Sequence, residues 1–452
     1  MNESAWERLG PGPWSAEEAV PQQGPDERTR NLLRLPPTLR PVRGEAVVQR
    51  AIFDPSALHY ANAMRLGNPE FADAETGERW FAARRRALDL VLATVAGSPW
   101  AEHLVLRGSV LLRAWYGEAA REPGDLDFVV EPADWQLEDE RTERMLDELA
   151  HRADLRSHEA DGDVRLDSRG AVRDEIWTYD RVPGRRLVIP WSAEGVPGGT
   201  IQLDFVFNEP LPAPAARTAV PRPEGADGDA PLSVRAATRE LSLAWKVLWL
   251  ASDVHPEAKD LYDAVLLAED ETVSLPFELL RDVFLGVDYG YYDRNPVLLD
   301  RFADEVGSST DWSEFAKEYP HLTVPDHDWG QRLAHALAAT FALPAEYGAT
   351  GEPTCYLESV RWLAPLIDAC RATYAEEGLP ALLERLLTGF VPPESALVVT
   401  REVLGRAEHS VADVLPLLFD FRLRHREHPL QRDRWEEQWL AEAARRLSGT
   451  GD

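Results

Sequence analysis

Two aspartates separated by one residue are candidates for chemistry in residues 104–130, LVLRGSVLLRAWYGEAAREPGDLDFVV. Side chains alternate along a strand, so Asp125 and Asp127 share one face of "DLDFVV" while Leu126 and Phe128 enter the core. Two carboxylates on one face of a central strand need a counter-ion, and Mg²⁺ held between carboxylates and triphosphate oxygens supplies it. The pair therefore predicts a metal site for a nucleotide.

The turn that precedes this strand predicts a phosphate site. "HLVL" is typical of a strand, Gly108 and Ser109 of a sharp turn, and "VLLRAWYG" of a short helix. Free backbone N–H groups at such a helix start attract phosphate. Gly108 would let a ligand approach the backbone, Ser109 would bond it or cap the helix, and Arg113 would add a positive charge on the same face. The alternative is an ordinary capped helix with a surface arginine.

A third carboxylate comes from a later segment, "TIQLDFVF". Its alternation places Asp204 on the opposite face from Ile201, Leu203 and Phe205. Asp204 would complete a two-metal site or act as a general base. The alternative is a strand-edge aspartate that faces solvent.

The order of these elements resembles the nucleotidyltransferase superfamily, which has the polymerase-β-like fold. The order is a strand, Gly-Ser, a helix, an Asp-x-Asp strand and another acidic strand later. "LVLRGSVLLRAWYG" followed by "REPGDLDFVV" is similar to the AbiEii-type nucleotidyltransferases, the toxins of abortive-infection toxin–antitoxin systems. Arg121 occupies the arginine position of that pattern. Two positions depart from it: Pro123, where Ser or Thr is common, and Arg107, where Gly or Lys is common.

A second match lies in "RELSLAWKVLWLAS" and "KDLYD". Lys246 is unusual on an otherwise apolar helix, and the alternative to a functional role is that its ammonium simply reaches solvent. The alternative for Asp260 is a carboxylate that interacts only with the helix dipole. The resemblance implies that Lys246 neutralises triphosphate or pyrophosphate charge and that Asp260 orients Lys246 or assists the attacking hydroxyl. Asp263 would be a structural partner.

The resemblance implies an Mg²⁺-dependent nucleotidyltransferase that moves an NMP from an NTP to a hydroxyl acceptor such as the tRNA 3′ end. It would act as a toxin in phage defence with a cognate antitoxin. Two alternatives stay open: a non-catalytic nucleotide-sensing or protein-binding module of a defence system, and a nucleotidyltransferase acting on proteins or on small molecules such as antibiotics. The basic clusters 83–87 and 421–434 would meet an RNA backbone or be solvated helix faces.

The composition limits the class of protein. A net charge of −30 argues against nucleic-acid binding over the whole surface but allows a local basic cleft. Cys355 and Cys370 fit neither a disulfide framework nor a metal site, so we expect two small buried side chains. With no signal peptide pattern and no apolar run long enough for a membrane helix, we expect a cytoplasmic protein with no membrane partner.

The order of the patterns predicts an α+β fold: a polymerase-β-like domain with a mixed sheet, then an all-α region. We expect a Pro-rich extension over residues 1–50, disordered or draped over the surface, and a nucleotidyltransferase domain over 51–230. Helical domains over 231–452 would contribute Lys246 and Asp260 to the cleft. Within this scheme we predict helices over 78–96 and 136–152, strands in "DEIWTYDRV", "RRLVIPW" and "GTIQLDFVFN", and a linker over 209–231.

Overall fold

The computed structural model describes residues 4–10, 14–15, 17–53, 64–176, 183–226, 228, 230–253, 255–286, 290–322, 328–345, 347, 351–425 and 435–449. They form two compact units, Met1–Leu267 with Thr310–His327, and Ala268–Ser309 with Asp328–Asp452. Within these described ranges no helix is long and apolar enough to cross a bilayer.

The N-terminal part of the first unit has a small apolar core. Its elements are α1 (Ala5–Leu9), α2 (Glu27–Leu33), β1 (Val47–Val48), β2 (Ala51–Phe53), β3 (Met64–Leu66) and β4 (Glu70–Phe71). β1 pairs with β4 and β2 with β3, both antiparallel. Trp6 and Trp14 are buried in one cluster with Leu33 and Leu35. The region for which we expected an extension therefore carries packed elements of its own.

An eight-stranded mixed sheet forms the centre of the first unit. Its strands are β5 (Leu104–Arg107), β6 (Asp125–Val130), β7 (Arg165–Leu166), β8 (Val172–Glu175), β9 (Gly184–Ala193), β10 (Val196–Val206), β11 (Ala216–Val220) and β12 (Leu232–Ala236). The order is β11-β12-β5-β6-β10-β9-β7, and β8 also pairs with β9. β6 runs antiparallel to β5 and parallel to β10. β6 therefore lies in the middle of the sheet.

Five longer helices accompany this sheet: α3 (Ala74–Ala96), α4 (Ser109–Tyr116), α5 (Glu140–Glu159), α6 (Arg239–Ser252) and α7 (Ala258–Ala268). The side chain of Asp73 caps α3 and that of Thr238 caps α6, each accepting a backbone N–H bond from the first turn. Lys246 on α6 and Asp260 on α7 belong to the same compact unit as the sheet.

The second unit is helical throughout its described residues. The remaining helices are α8 (Phe277–Leu285), α9 (Leu299–Ser309), α10 (Ser313–Glu318), α11 (Trp329–Phe341), α12 (Thr354–Trp362), α13 (Ala364–Thr388), α14 (Pro393–Leu404), α15 (Val411–Arg424) and α16 (Glu437–Leu447). Of these, α10 belongs to the first unit. α14 packs against α12, α13, α15 and α16. The predicted α+β class, with a mixed sheet and a helical C-terminal region, is confirmed.

The linker predicted over 209–231 is wrong in part, because β11 lies inside it and pairs antiparallel with β12. Ala216–Val220 contains neither Gly nor Pro, and pairing with β12 makes it an edge strand despite its proline-rich flanks. The helix predicted over 136–152 is α5, shifted toward the C terminus. Of the strand predicted in "DEIWTYDRV", residues 177–182 lie outside the described residues.

Candidate active site

The turn between β5 and α4 brings the backbone against β6. Gly108 has φ 84° and ψ −155°, a conformation that glycine alone adopts readily. A Cβ at this position would lie 2.5 Å from the Asp127 Oδ2 atom. Ser109, the first residue of α4, is only 1% exposed, and its Oγ has no hydrogen-bond partner in the part of the chain that the structure describes. The turn thus brings the Gly108 backbone against the Asp127 carboxylate, and the residue that follows carries a buried hydroxyl.

Three carboxylates converge at this turn. Asp125 and Asp127 lie on β6, and Asp204 on β10 is the register partner of Asp127. One oxygen of each carboxylate lies within 4.8 Å of one from each of the others. On the opposite face of the two strands, Phe128 stacks on Phe205 with ring centroids 5.5 Å apart. The sheet therefore holds the three carboxylates together over a packed aromatic layer, in a donor set that fits a hard divalent cation.

Burial and mutual repulsion change the acidity of this group. Burial, together with the charges of Asp125 and Asp204, raises the pKa of Asp127 to about 8. Burial also raises the pKa of Asp204, although Arg186 opposes this shift. Desolvation and like charge both disfavour the ionised carboxylates, so a bound cation is favoured electrostatically.

Two arginines flank the carboxylates in one row across four strands. Arg107 on β5 is the register partner of Asp127, and Arg186 on β9 is that of Asp204. The Nε and Nη2 atoms of Arg186 donate to the two carboxylate oxygens of Asp204 at 2.9 and 2.8 Å. Arg107 donates to Glu209 at 2.9 Å. Sequence reasoning did not predict Arg186 as a site residue, because its place depends on the pairing of β9 with β10.

Lys246 lies in a second charged group. Its Nζ atom is 2.6 Å from the Asp260 Oδ1 atom and 3.0 Å from the Asp263 Oδ2 atom. Lys246 is 4% exposed, so it does not reach solvent. Burial would raise the pKa of Asp260, but the charge and hydrogen bond of Lys246, together with the charges of Lys259 and Arg121, hold that pKa below its usual value. The Lys246 Nζ atom and the Arg107 guanidinium carbon lie 4.8 and 5.6 Å from the centroid of the same ring, that of Trp249, and the charge of Lys246 opposes the raised pKa of Asp127.

Asp263 connects Lys246 to the loop before β6. It is fully buried, and the Arg121 guanidinium donates to its carboxylate at 2.9–3.1 Å. Arg121 also contacts the Tyr319 hydroxyl at 3.4 Å. Since Arg121 lies four residues before Asp125, this pair ties α7 to the carboxylate strand.

Arg113 is placed differently from the other candidates. Its Nη1 atom donates to the carbonyls of Gly117 and Ala120 at 2.9 and 3.2 Å, which holds the loop after α4. Its role in nucleotide binding stays a prediction. The structure brings the other seven candidates into two neighbouring groups, Gly108, Ser109, Asp125, Asp127 and Asp204 around the turn, and Lys246 and Asp260 on α6 and α7.

Comparison with known proteins identifies the family of the chain. The family model described as "Nucleotidyl transferase AbiEii toxin, Type IV TA system" matches residues 90–338, which include all eight candidates. No curated protein matches the chain. Among solved structures, it is similar to MenT4, a nucleotidyltransferase toxin from Mycobacterium tuberculosis H37Rv, at 18% identity and a TM-score of 0.39, covering 67% of this chain and 92% of that one. Because the family model matches more than half of the chain, this protein belongs to the AbiEii family of nucleotidyltransferase toxins of Type IV toxin–antitoxin systems.

Proposed function

We propose that the protein transfers a nucleoside monophosphate from an NTP to a hydroxyl group, with Mg²⁺ as cofactor and the tRNA 3′ end as acceptor. The observation that carries the proposal is the convergence of three carboxylates, Asp125, Asp127 and Asp204, beside the Gly108 turn. Acidic clusters alone are common on proteins. Here the cluster lies on two central strands, against the backbone of Gly108, and the next residue, Ser109, has a buried hydroxyl without a hydrogen-bond partner among the described residues.

The reaction forms one bond and breaks one. The acceptor hydroxyl oxygen attacks the α-phosphorus, and the bond from that phosphorus to the oxygen bridging to the β-phosphate breaks, so that pyrophosphate leaves. The hydroxyl proton passes to a carboxylate. Asp204 is the candidate, because β10 lies one strand further from the phosphate turn than β6 does.

Asp125, Asp127 and Asp204 would hold Mg²⁺, which when bound neutralises charge on the phosphoryl oxygens and orients them. The residues of the turn bind the rest of the triphosphate. Gly108 allows phosphate oxygens to approach the backbone, and the Ser109 hydroxyl donates to one of them. Catalysis by this chain is then mainly positioning and charge stabilisation.

Lys246 would stabilise the negative charge that develops on the leaving pyrophosphate. Its ammonium has a defined position because Asp260 and Asp263 hold it from the same helix. The lowered pKa of Asp260 keeps this carboxylate ionised, so the pair stays intact at neutral pH. Asp260 is thus a positioning residue for Lys246. Asp263 contacts both Lys246 and Arg121, so Arg121 helps to hold this charged group in place.

Family resemblance, rather than a contact among the described residues, supports the tRNA 3′ end as the acceptor. Of the two basic clusters, residues 426–434 lie outside the described part of the chain. In the other, Arg84 is buried and Arg85 forms an ion pair with Glu122. We therefore place tRNA as the first acceptor to test, with proteins and small molecules next, and a cognate antitoxin as the expected partner.

Radiolabelled transfer tests the proposal. Each α-³²P NTP is incubated with the protein, Mg²⁺ and total tRNA, and a labelled tRNA band is expected that chelation of Mg²⁺ removes. Asp127→Ala should abolish transfer, whereas Asp134→Ala, the same change at an exposed position beyond the end of β6, should leave it unchanged. Nucleotide binding without transfer to any acceptor would favour a sensing module, and wild-type transfer by Asp127→Ala would exclude the assigned site.

A further inference from the structure

Three consecutive arginines on α3, Arg84 to Arg86, have different environments. Arg85 is 41% exposed at its side chain and pairs with Glu122 at 3.2 Å. Arg86 donates to the Asp161 carbonyl at 2.6 Å. Arg84 is 9% exposed, although the sequence pattern favours a solvated helix face for all three. One cation of this cluster is therefore inside the first unit.

Arg84 is buried with little compensation for its charge. Its Nη1 atom donates to the Asn68 Oδ1 atom at 2.8 Å, and the guanidinium carbon lies 5.7 Å from the centroid of the Trp80 ring. Across the described ranges of the chain, no carboxylate oxygen lies within 4.0 Å of its nitrogens. A guanidinium has five N–H donors, and a buried charge without a partner is costly. The N–H donors of Arg84 that Asn68 does not use are therefore open to a ligand.

The guanidinium lies beside the start of β6. A Cβ on Gly124 would be 3.0 Å from the Arg84 Nη2 atom, so the loop residue directly before Asp125 touches this side chain. Burial lowers the pKa of Arg84, and the charges of Glu122, Tyr319, Asp125 and Glu318 oppose this only in part. Glu318 is paired with Arg65. Glu122 is already bonded to Arg85. Asp125 is thus the carboxylate of the site that lies within electrostatic reach of Arg84.

This position is on the phosphate side of the site. β5 and β6 are antiparallel with Arg107 opposite Asp127, so the chain that continues to Gly108 and Ser109 runs toward Asp125. Arg186, in contrast, borders Asp204. Ser109 and Arg84, two buried groups with spare donors, are therefore on the Asp125 side of the carboxylate cluster, away from Asp204.

We propose that Arg84 binds the triphosphate of the nucleotide substrate through its free guanidinium N–H groups. The inference rests on the proposed function and assigns a further binding residue to the same site. A planar guanidinium donates two parallel bonds to a phosphate, and such bonds are stronger where water is excluded. Arg84 precedes residues 90–338, so the family match does not include it.

Binding of inorganic tripolyphosphate with Mg²⁺ tests the inference without knowledge of the base. Calorimetry on the full chain compares wild type, Arg84→Gln and Arg79→Gln. Arg79 is on the same helix, is exposed, and among the described residues donates only to the Glu194 carbonyl, so it is the matched control. Arg84→Gln should weaken binding by about tenfold or more, as expected for loss of a charge-assisted bond, and Arg79→Gln should bind as wild type.

Thermal unfolding of the same variants separates binding from folding. Arg84→Gln removes a poorly compensated buried charge, so its midpoint should equal or exceed that of wild type. Unchanged tripolyphosphate binding by Arg84→Gln overturns the inference, as does weaker binding accompanied by a lower midpoint, which would assign Arg84 to the fold. If wild type itself neither binds tripolyphosphate nor transfers nucleotide, the proposed function fails, and the inference with it.

Discussion

Replacing Gly108 with alanine should damage the site more than the fold. The new Cβ would lie 2.5 Å from the Asp127 Oδ2 atom, which is closer than carbon and oxygen approach in proteins. The carboxylate would have to move by about 1 Å to restore van der Waals contact. A displacement of this size at a reacting centre costs about 100-fold in rate. We therefore expect nucleotide transfer to fall about 100-fold.

The same substitution also carries a backbone cost. Gly108 has φ 84° and ψ −155°, and a side chain in this region costs about 1–3 kcal/mol. Gly117→Ala is the matched control, because Gly117 also has positive φ, 56°, but a Cβ there would meet nothing within 4 Å. Both variants should lose similar stability, and only Gly108→Ala should lose transfer.

Thermal unfolding and the transfer assay, both run well below the unfolding midpoints, check this prediction. The expected pattern is two similar downward shifts of the midpoint and one inactive variant. Equal activity of Gly108→Ala and Gly117→Ala would refute the close approach of the turn to Asp127. It would also remove the main geometric support for a phosphate site there.

Three further predictions follow from the charged groups. Lys246→Met should lower the free energy of unfolding by about 3–5 kcal/mol, because Asp260 stays buried without its cation. Adding Asp260→Asn should restore stability but not nucleotide transfer. A double variant as unstable as the single one would refute the pairing. Arg186→Gln should lower the unfolding midpoint, because the buried Asp204 carboxylate loses its cationic partner. Mg²⁺ should then raise the midpoint of this variant by more than it raises that of wild type, and equal Mg²⁺ stabilisation of both proteins would contradict this. Burial and neighbouring carboxylates raise the pKa of Asp127 to about 8, so this group favours folding less as pH rises from about 4 to 8, and Mg²⁺ binding should release its proton. Mg²⁺ affinity should then strengthen by up to about tenfold per pH unit below pH 8; calorimetry in buffers of different ionisation enthalpy measures the proton, and no release would contradict the shift.

The parts of the site that local sequence patterns predict are those made by consecutive residues. β5, the Gly108 turn, α4 and β6 follow from apolar runs and turn residues, and the shared face of Asp125 and Asp127 follows from strand alternation. The buried partners of Lys246 follow less directly. An ammonium on an apolar helix needs a partner, but only the packing of α7 decides that Asp260 and Asp263 supply it.

Non-local pairing accounts for what the sequence patterns do not predict. Asp204 meets Asp127 because β10 runs parallel to β6, and Arg186 meets Asp204 because β10 turns back along β9. The residue pattern of a single strand does not predict its register with a neighbouring strand, so neither pairing could be predicted. The burial of Arg84 is of the same kind, since three adjacent arginines on α3 differ only in what packs beside each of them.

The most direct test of the account is the position of bound metal. A crystal structure of the protein with Mn²⁺ and an NTP analogue that cannot be cleaved between the α- and β-phosphates would locate the ion by its anomalous signal. Manganese should be coordinated by Asp125, Asp127 and Asp204, with triphosphate oxygens against Gly108 and Ser109. Manganese bound elsewhere, or a triphosphate that avoids the turn, would contradict it.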